Sequence, residues 1–250
     1  MLNILSEKSM LQMTVDRLRK LHNVEDILIV TRADLADSIR KHVSGVPSEN
    51  IIIEPEGKNT APCISLAALH IAKRKKNSIM GVFPADHLIV GHRPFYQSLS
   101  AALDLVSKNK ILVTLGIIPS SPHTGYGYIQ YNKKKILKDG IAFGVKTFAE
   151  KPTLSAAKRF LKSGDFFWNS GIFVWKASVY MKAMEDHLPN QYDIIKNIIS
   201  KVGTNQYKSS LASEWDRISQ ESVDYGILEK ANNIGVIKSG FTWSDVGSWN

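Results

Sequence analysis

The chain has a single cysteine in 250 residues, Cys63. That excludes an internal disulfide framework and points to a reducing compartment. Apolar neighbours Ile64 and Leu66 mark Cys63 as a buried structural thiol. No apolar run reaches the ~18 residues that a membrane span requires. The opening residues, Met1 through Lys8, have neither the basic start nor the long apolar stretch of a secretory signal. The expected location is therefore cytoplasmic, with no membrane partner. There is no internal repeat, linker or low-complexity segment, so residues 1–250 read as one domain with no second one. Acidic residues are outnumbered, 23 Asp and Glu against 32 Lys and Arg, for a net charge of +9. Such a charge suits nucleic acid or a polyphosphate. The lysines, however, fall in scattered clusters: Lys73-Arg74-Lys75-Lys76 at a helix end, Lys133-Lys134-Lys135 at an expected hairpin tip. No aromatic residues are interleaved with them, as an RNA-binding platform needs, so they read as solvated surface. Finally, no Gly-x-Gly-x-Arg run occurs anywhere in the chain.

What is present is an alternation of helices and strands. Leu11, Val15, Leu18 and Leu21 stand at helical spacing, with Ser9 as a cap. Strands are expected at 27–30, 51–53, 79–83 and 111–115. Helices are expected over 33–43, around 64–71 and around 94–108. Continuous apolar strands divided by helices imply a parallel sheet covered on both faces. From about 124 the pattern turns antiparallel, with strands at 126–131 and 142–148 around the lysine-rich turn. A helix at 153–163, a strand through Gly171 to Trp175, and helices at 177–186, 191–201 and 222–231 complete the reading.

Five short motifs carry chemistry. Pro84-Ala85-Asp86-His87 directly follows a strand, and open α/β sheets bind ligands at strand carboxyl ends. Asp86 there either holds a phosphate-bound magnesium ion or stabilises the turn. His87 reads as a turn residue more than a phosphate donor. Trp243-Ser244-Asp245-Val246-Gly247-Ser248-Trp249 sets a second acid, Asp245, among small residues and aromatics. It is a second metal ligand or part of a structural turn. Glu150-Lys151-Pro152 ends a strand, placing a compact charge suited to phosphate beside an acceptor for sugar hydroxyls. Taken with it as one motif, Trp168-Asn169-Ser170-Gly171 follows on the next strand, where the Asn169 amide offers donors and acceptors. Trp168 and Phe167 read as packing residues. Thr124-Gly125-Tyr126-Gly127-Tyr128 has two glycines that permit close backbone approach. Glu54 through Pro62 is a loop between strand and helix. Asn59 and Thr60 cap that helix and leave free amides at its start.

In this order, across residues 1–250, the motifs resemble the mannose-1-phosphate guanylyltransferases, and more closely the bacterial type that often carries a fused isomerase domain. Leu2 through Leu18 resembles the helix that follows that family's glycine-rich signature loop. The resemblance implies an α/β, Rossmann-like nucleotidyltransferase fold: a mixed, mostly parallel sheet with helices on both faces. It implies GTP and mannose 1-phosphate as substrates, Mg2+ as cofactor and a possible homodimer. Asp86, Lys151 and Asp245 would be catalytic, with Asp86 and Asp245 holding the metal. Gly125, Gly127, Glu150 and Asn169 would meet the sugar phosphate. Glu54, Asn59 and Thr60 would lie near the guanine. The family's signature loop and its central first strand are not found in this chain, so the domain is expected to be truncated at its N-terminus and poor at synthesis. The strands near 27–30 and 79–83 would then flank a gap. An inactive sugar-phosphate-binding or regulatory remnant, and a nucleotidyltransferase for another sugar 1-phosphate, are the alternatives.

Overall fold

The structure is a computed structural model that describes residues 8–75, 77–138 and 140–245. Residues Leu2 to Glu7, Lys76 and Val246 to Trp249 of the motifs above lie outside the described residues. Helix α1 (Met10–Arg19) starts on Ser9, whose side chain accepts from the Gln12 amide. Strand β1 (Ile29–Arg32) leads into α2 (Ala33–His42), and β2 (Ile51–Glu54) into α3 (Thr60–Arg74). Strands β3 (Ile79–Val82) and β4 (His87–Val90) precede α4 (His92–Lys108) and β5 (Leu112–Ile117). A long hairpin, β6 (Tyr128–Lys138) with β7 (Ala142–Ala149), is followed by α5 (Leu154–Ser163) and β8 (Phe166–Lys176). Helices α6 (Ala177–His187), α7 (Pro189–Ser200) and α8 (Tyr207–Trp215) come next. A π-helical turn (Asp224–Leu228), β9 (Ile234–Ser239) and β10 (Thr242–Asp245) close the described chain. Among the described residues no helix is long and apolar enough to cross a membrane.

The main sheet has six strands in the order β3-β8-β5-β9-β7-β6. It is mixed, and helices cover both faces. On one face α4 packs Phe95, Leu99, Ala102 and Val106 onto Val113, Leu115, Val174 and Ile237. On the other, α3, α6 and α7 pack onto Leu112, Phe173, Trp175 and Val236. The expectation of a mostly parallel sheet is corrected. β8 runs antiparallel to both β3 and β5, β7 runs antiparallel to β9, and only β5–β9 in this sheet is a parallel pair. Strands β3 and β5 do run the same way, but β8 is inserted between them. A strand buried on both faces is a continuous apolar run whichever way it points, so the pattern could not reveal its direction.

Smaller differences have similar causes. The lysines Lys133 to Lys135 lie within β6, not at the hairpin tip. Their register breaks between Asn132, opposite Gly144, and Ile136, opposite Phe143. The ladder bulges there, with the Lys135 side chain lying across Gly144, and the turn falls later. The helix expected over 222–231 is a single π turn. β4 and β10 were not expected as strands, because they fall in motifs read as turns and each is ordered by pairing with the other.

Strand β1 pairs in parallel with β2 and with no other described strand, and β3 pairs only with β8. No ladder joins β1 to β3 among the described residues. β5, by contrast, is buried along its whole length between β8 and β9. Native-state hydrogen exchange should therefore show the slowest amides in β5, and faster exchange for the β1 amides that face away from β2. Equal protection in the two strands would contradict this account of the sheet.

Candidate active site

The five motifs meet in space through a chain of contacts. Strand β10 pairs with β4 so that Asp245 stands opposite His87, one residue after Asp86. Two aspartates separated by most of the chain are thus brought to one place. Asp86 is largely exposed, with its Oδ1 3.9 Å from His87 Nε2. Asp245 Oδ1 is buried and has no hydrogen-bond partner. A buried carboxylate oxygen left open is a position where a cation fits, since magnesium takes one or two carboxylates and completes its shell with water and phosphate oxygens. No group of three or more His, Cys, Asp or Glu side chains is gathered for a metal among the described residues, so any ion here would lean on its ligand.

His87 is more than a turn residue. The indole of Trp243 donates from Nε1 to His87 Nδ1 at 3.0 Å, which assigns the ring proton of neutral His87 to Nε2, on the Asp86 side. Burial pushes the imidazole below its ordinary value, against the pull of Asp86 and Asp245. Trp243 in turn lies edge-on to Tyr126, at 4.8 Å between ring centroids. Tyr126 stacks on His123 at 3.9 Å and meets Trp168 at 5.1 Å. Burial raises the Tyr126 phenol, and the Asp245 charge adds to the rise. This aromatic cluster joins the Gly125–Gly127 motif to the Asp86–Asp245 pair.

The other half of the site centres on an irregularity in β8. From Asn169 to Phe173 it advances four positions while β5 advances two, from Gly116 to Thr114. The extra residues are accommodated by Gly171 at φ 68°, a left-handed conformation that favours glycine. A Cβ on Gly171 would stand 3.3 Å from Pro84 and 3.5 Å from His87, so the bulge packs directly on the Asp86 turn. Ser170, fully buried, repairs the broken ladder by donating to Leu115 O and accepting from the Ile172 amide. Trp168 and Phe167 are buried, as expected of packing residues.

Asn169 and Glu150 both lie against Gly127. The Asn169 amide N–H donates to Gly127 O at 2.8 Å. A Cβ on Gly127 would lie 2.4 Å from Glu150 Oε2, so any side chain there displaces the carboxyl. Gly125 is held differently, its N–H donating to His123 Nδ1 at 3.1 Å. Lys151 sits at φ 45°, unusual for a non-glycine residue and doubly so before a proline. Such strain costs ~1–3 kcal/mol and clusters at functional sites.

The expectation that Asn169 offers both donor and acceptor to a ligand is corrected in part. Its Oδ1 accepts from Thr114 Oγ1 at 3.1 Å and from the Gly171 amide at 3.2 Å. Its Nδ2 donates to Asp224 Oδ1 at 2.8 Å. One N–H is left over. Asp224 was missed by sequence reasoning: it carries no motif, and in an ordinary helix it would be a first-turn acid. Burial pushes Asp224 up from the usual carboxylate range. Burial likewise pushes Glu150 up to about 7, with the Asp224 charge adding to the rise and Lys151 opposing it.

The third group lies at the carboxyl ends of β1 and β2, where Arg32 stands opposite Glu54. Glu54 is buried with Oε2 unpartnered, and burial raises it. Asn59, at φ 71°, caps α3 by accepting from the Thr60 amide at 2.8 Å. Thr60 Oγ1 accepts from the Val223 amide at 2.8 Å. The free amides expected at this helix start are largely consumed: Thr60 N–H by Asn59, Ala61 N–H by Glu221 O, and Pro62 has none. Cys63, expected to be buried, is half-buried, and burial pushes its thiol up to about 12.

This fold and site define a class. The chain belongs to the nucleotidyl transferase family, whose model matches residues 1–250. Among its relatives, the mannose-1-phosphate guanylyltransferase of Escherichia coli is 35% identical over 97% of this chain and 53% of its own length. The chain thus spans about half the length of such relatives. Among solved structures, the mannose-1-phosphate geranyltransferase of Thermus thermophilus superposes with a TM-score of 0.85 at 27% identity, covering 97% of this chain and 67% of that one. The mannose-6-phosphate isomerase of Helicobacter pylori gives 0.79 at 26% identity, covering 98% and 94%.

The environment of Glu150 gives a pH test. Its folded-state value of about 7 lies above its ordinary 4.5. A raised value favours the protonated form on folding, so that stabilisation is whole below the ordinary value and lost as pH rises through the folded one. Glu150→Gln keeps the shape without the charge. The lead of this variant over the wild type in melting temperature should be absent in acid, grow across the range from 4.5 to about 7, and level off above about 7. A constant difference across that range would show that Glu150 titrates normally.

Proposed function

We propose that this chain is a nucleotidyl-transfer domain joining GTP and mannose 1-phosphate to form GDP-mannose, with pyrophosphate released. The observation that carries the reading is convergence. Asp245 pairs across a ladder with His87, next to Asp86; Glu150 and Asn169 both lie against Gly127; and the Gly171 bulge packs against Pro84 and His87. The likeness to mannose-1-phosphate guanylyltransferases supports the choice of sugar and base.

In the proposed reaction a phosphate oxygen of mannose 1-phosphate attacks the α-phosphorus of GTP. The new O–P bond forms as the bond between the α-phosphorus and the bridging oxygen breaks, and the electron pair leaves with pyrophosphate. The nucleophile is already anionic near neutral pH, so no general base is needed. Catalysis then consists of positioning and charge neutralisation. Lys151, at the strained strand end beside Glu150, supplies a compact positive charge for the sugar phosphate. Gly125 and Gly127 let backbone approach the sugar, Glu150 addresses its hydroxyls, and Asn169 donates its remaining N–H. Glu54, Asn59 and Thr60 form the nucleotide side, where the unpartnered Glu54 oxygen suits the N–H edge of guanine. Asp86 and Asp245 are the residues that would hold Mg2+. The ion would neutralise phosphate charge at the reacting centre.

Calorimetry with mannose 1-phosphate tests the sugar side. Removing a charged donor should weaken binding about 10- to 100-fold in Lys151→Ala. Equal affinity in wild type and variant rejects the assignment, and a panel showing tighter binding of another sugar 1-phosphate redirects it. For the metal side, Asp245→Asn should weaken Mn2+ binding, read by electron paramagnetic resonance of the free ion. Unchanged Mn2+ binding would remove Asp245 from the metal site.

A further inference from the structure

The segment from Glu221 to Asp224 is tied to both sides of the site. Glu221 N–H donates to Lys58 O at 3.2 Å, and Glu221 O accepts from the Ala61 amide at 3.0 Å. Val223 N–H donates to Thr60 Oγ1 at 2.8 Å. The next residue, Asp224, receives Asn169 Nδ2–H at 2.8 Å. Four consecutive residues therefore run from the loop of Asn59 and Thr60 to the pocket of Asn169 and Glu150. They end in a π-helical turn, a rare element that recurs at functional sites.

Asp224 completes a set of constraints on one amide. A side-chain amide has two acceptor sites and two donor hydrogens. The Gly171 amide and the Thr114 hydroxyl, whose one proton is shared with Ile172 O at 3.3 Å, occupy the acceptor side of Asn169, and Asp224 takes one hydrogen. A ligand at Asn169 must then present an acceptor oxygen. We propose that Asp224 is a positioning residue of the sugar subsite, holding Asn169 so that its one remaining N–H meets an oxygen of the bound sugar phosphate. This rests on the functional reading above. The link from Val223 to Thr60 further makes the placement of Asp224 depend on the helix start that carries the nucleotide loop. The Asp224 charge also acts on Glu150, which faces Asp224, Glu229 and Lys151, with the Tyr225 phenol in the same field. Burial is the larger cause of the Glu150 rise, and the Asp224 charge is the second.

Two variants separate positioning from bulk structure. Asp224→Asn keeps an acceptor for Asn169 and removes the charge, and Asp224→Ala removes both. In ligand-free protein, 15N spectra of the Asn169 side chain should show one protected hydrogen in wild type and in Asp224→Asn, and none in Asp224→Ala. The Glu150 carboxyl, followed by its 13C shift, should titrate near about 7 in wild type and lower in both variants. Calorimetry with mannose 1-phosphate should show affinity reduced about tenfold or more in Asp224→Ala and less in Asp224→Asn. An unchanged Asn169 amide in Asp224→Ala, or sugar affinity equal to wild type, overturns the proposal. If Asp224→Ala fails to fold, Asp224→Leu, which fills the space without an acceptor, decides: an Asn169 side-chain hydrogen still protected in it overturns the proposal, and loss of that protection supports it. If the wild type binds no mannose 1-phosphate, the functional reading fails, and the Asn169 and Glu150 spectra still decide whether Asp224 positions the amide.

Discussion

The pairing of β8 against β5 is the constraint on which the site depends. An unbroken ladder would send Asn169 onward in simple alternation with its neighbours. The extra residues on β8, taken up at Gly171, instead re-aim Asn169 toward Gly127 and Asp224 and press the bulge against Pro84 and His87. Bulges bend a strand and redirect side chains, at the cost of unpaired backbone groups. Here Ser170 and Asn169 themselves satisfy the disturbed backbone, so the distortion is built into the core. The same strand carries Phe173, Val174 and Trp175 between the two helical layers, which makes its position rigid.

Around that strand the site is acidic although the chain as a whole is basic. Burial raises both Glu150 and Asp224, the Asp224 charge adds to the rise of Glu150, and Lys151 is the cation that opposes both shifts. Asp86 and Asp245 stand on the other side with no lysine or arginine ion pair among the described residues. Most of the excess lysines are on the outer surface, as in the bulge of β6. An acidic pocket suits sugar hydroxyls, and an acidic pair suits a cation that accompanies phosphate. Net charge alone would have suggested the opposite kind of site.

The aromatic cluster of His123, Tyr126, Trp168 and Trp243 is the mechanical link between these halves. Each ring touches a neighbour from a different segment: the loop before β6, β8 and β10. Edge-to-face contacts of this kind fix relative orientation as well as burying area. Through Trp243 the cluster also sets the tautomer of His87, and so the polarity of the group facing Asp86.

The sequence by itself determined the residue types and most of the helices. Apolar periodicity marked α1, α2, α3 and α4 to within a few residues, because each buries one continuous stripe. It also determined the five motifs, whose proline, glycine and carboxylate spacing survives as local turns, and the helix caps Ser9 on α1 and Asn59 on α3. Strand direction was left to the tertiary structure, since β8 is buried on both faces and so has no polar face to orient it. Asp224 was equally illegible, because its role comes from a hydrogen bond to a residue 55 positions away. So was the fate of the α3 amides and of the Asn169 carbonyl, which are satisfied by partners that only folding brings near. Local chemistry is written in neighbouring residues, whereas the occupancy of each donor and acceptor is decided by packing between segments remote in the chain.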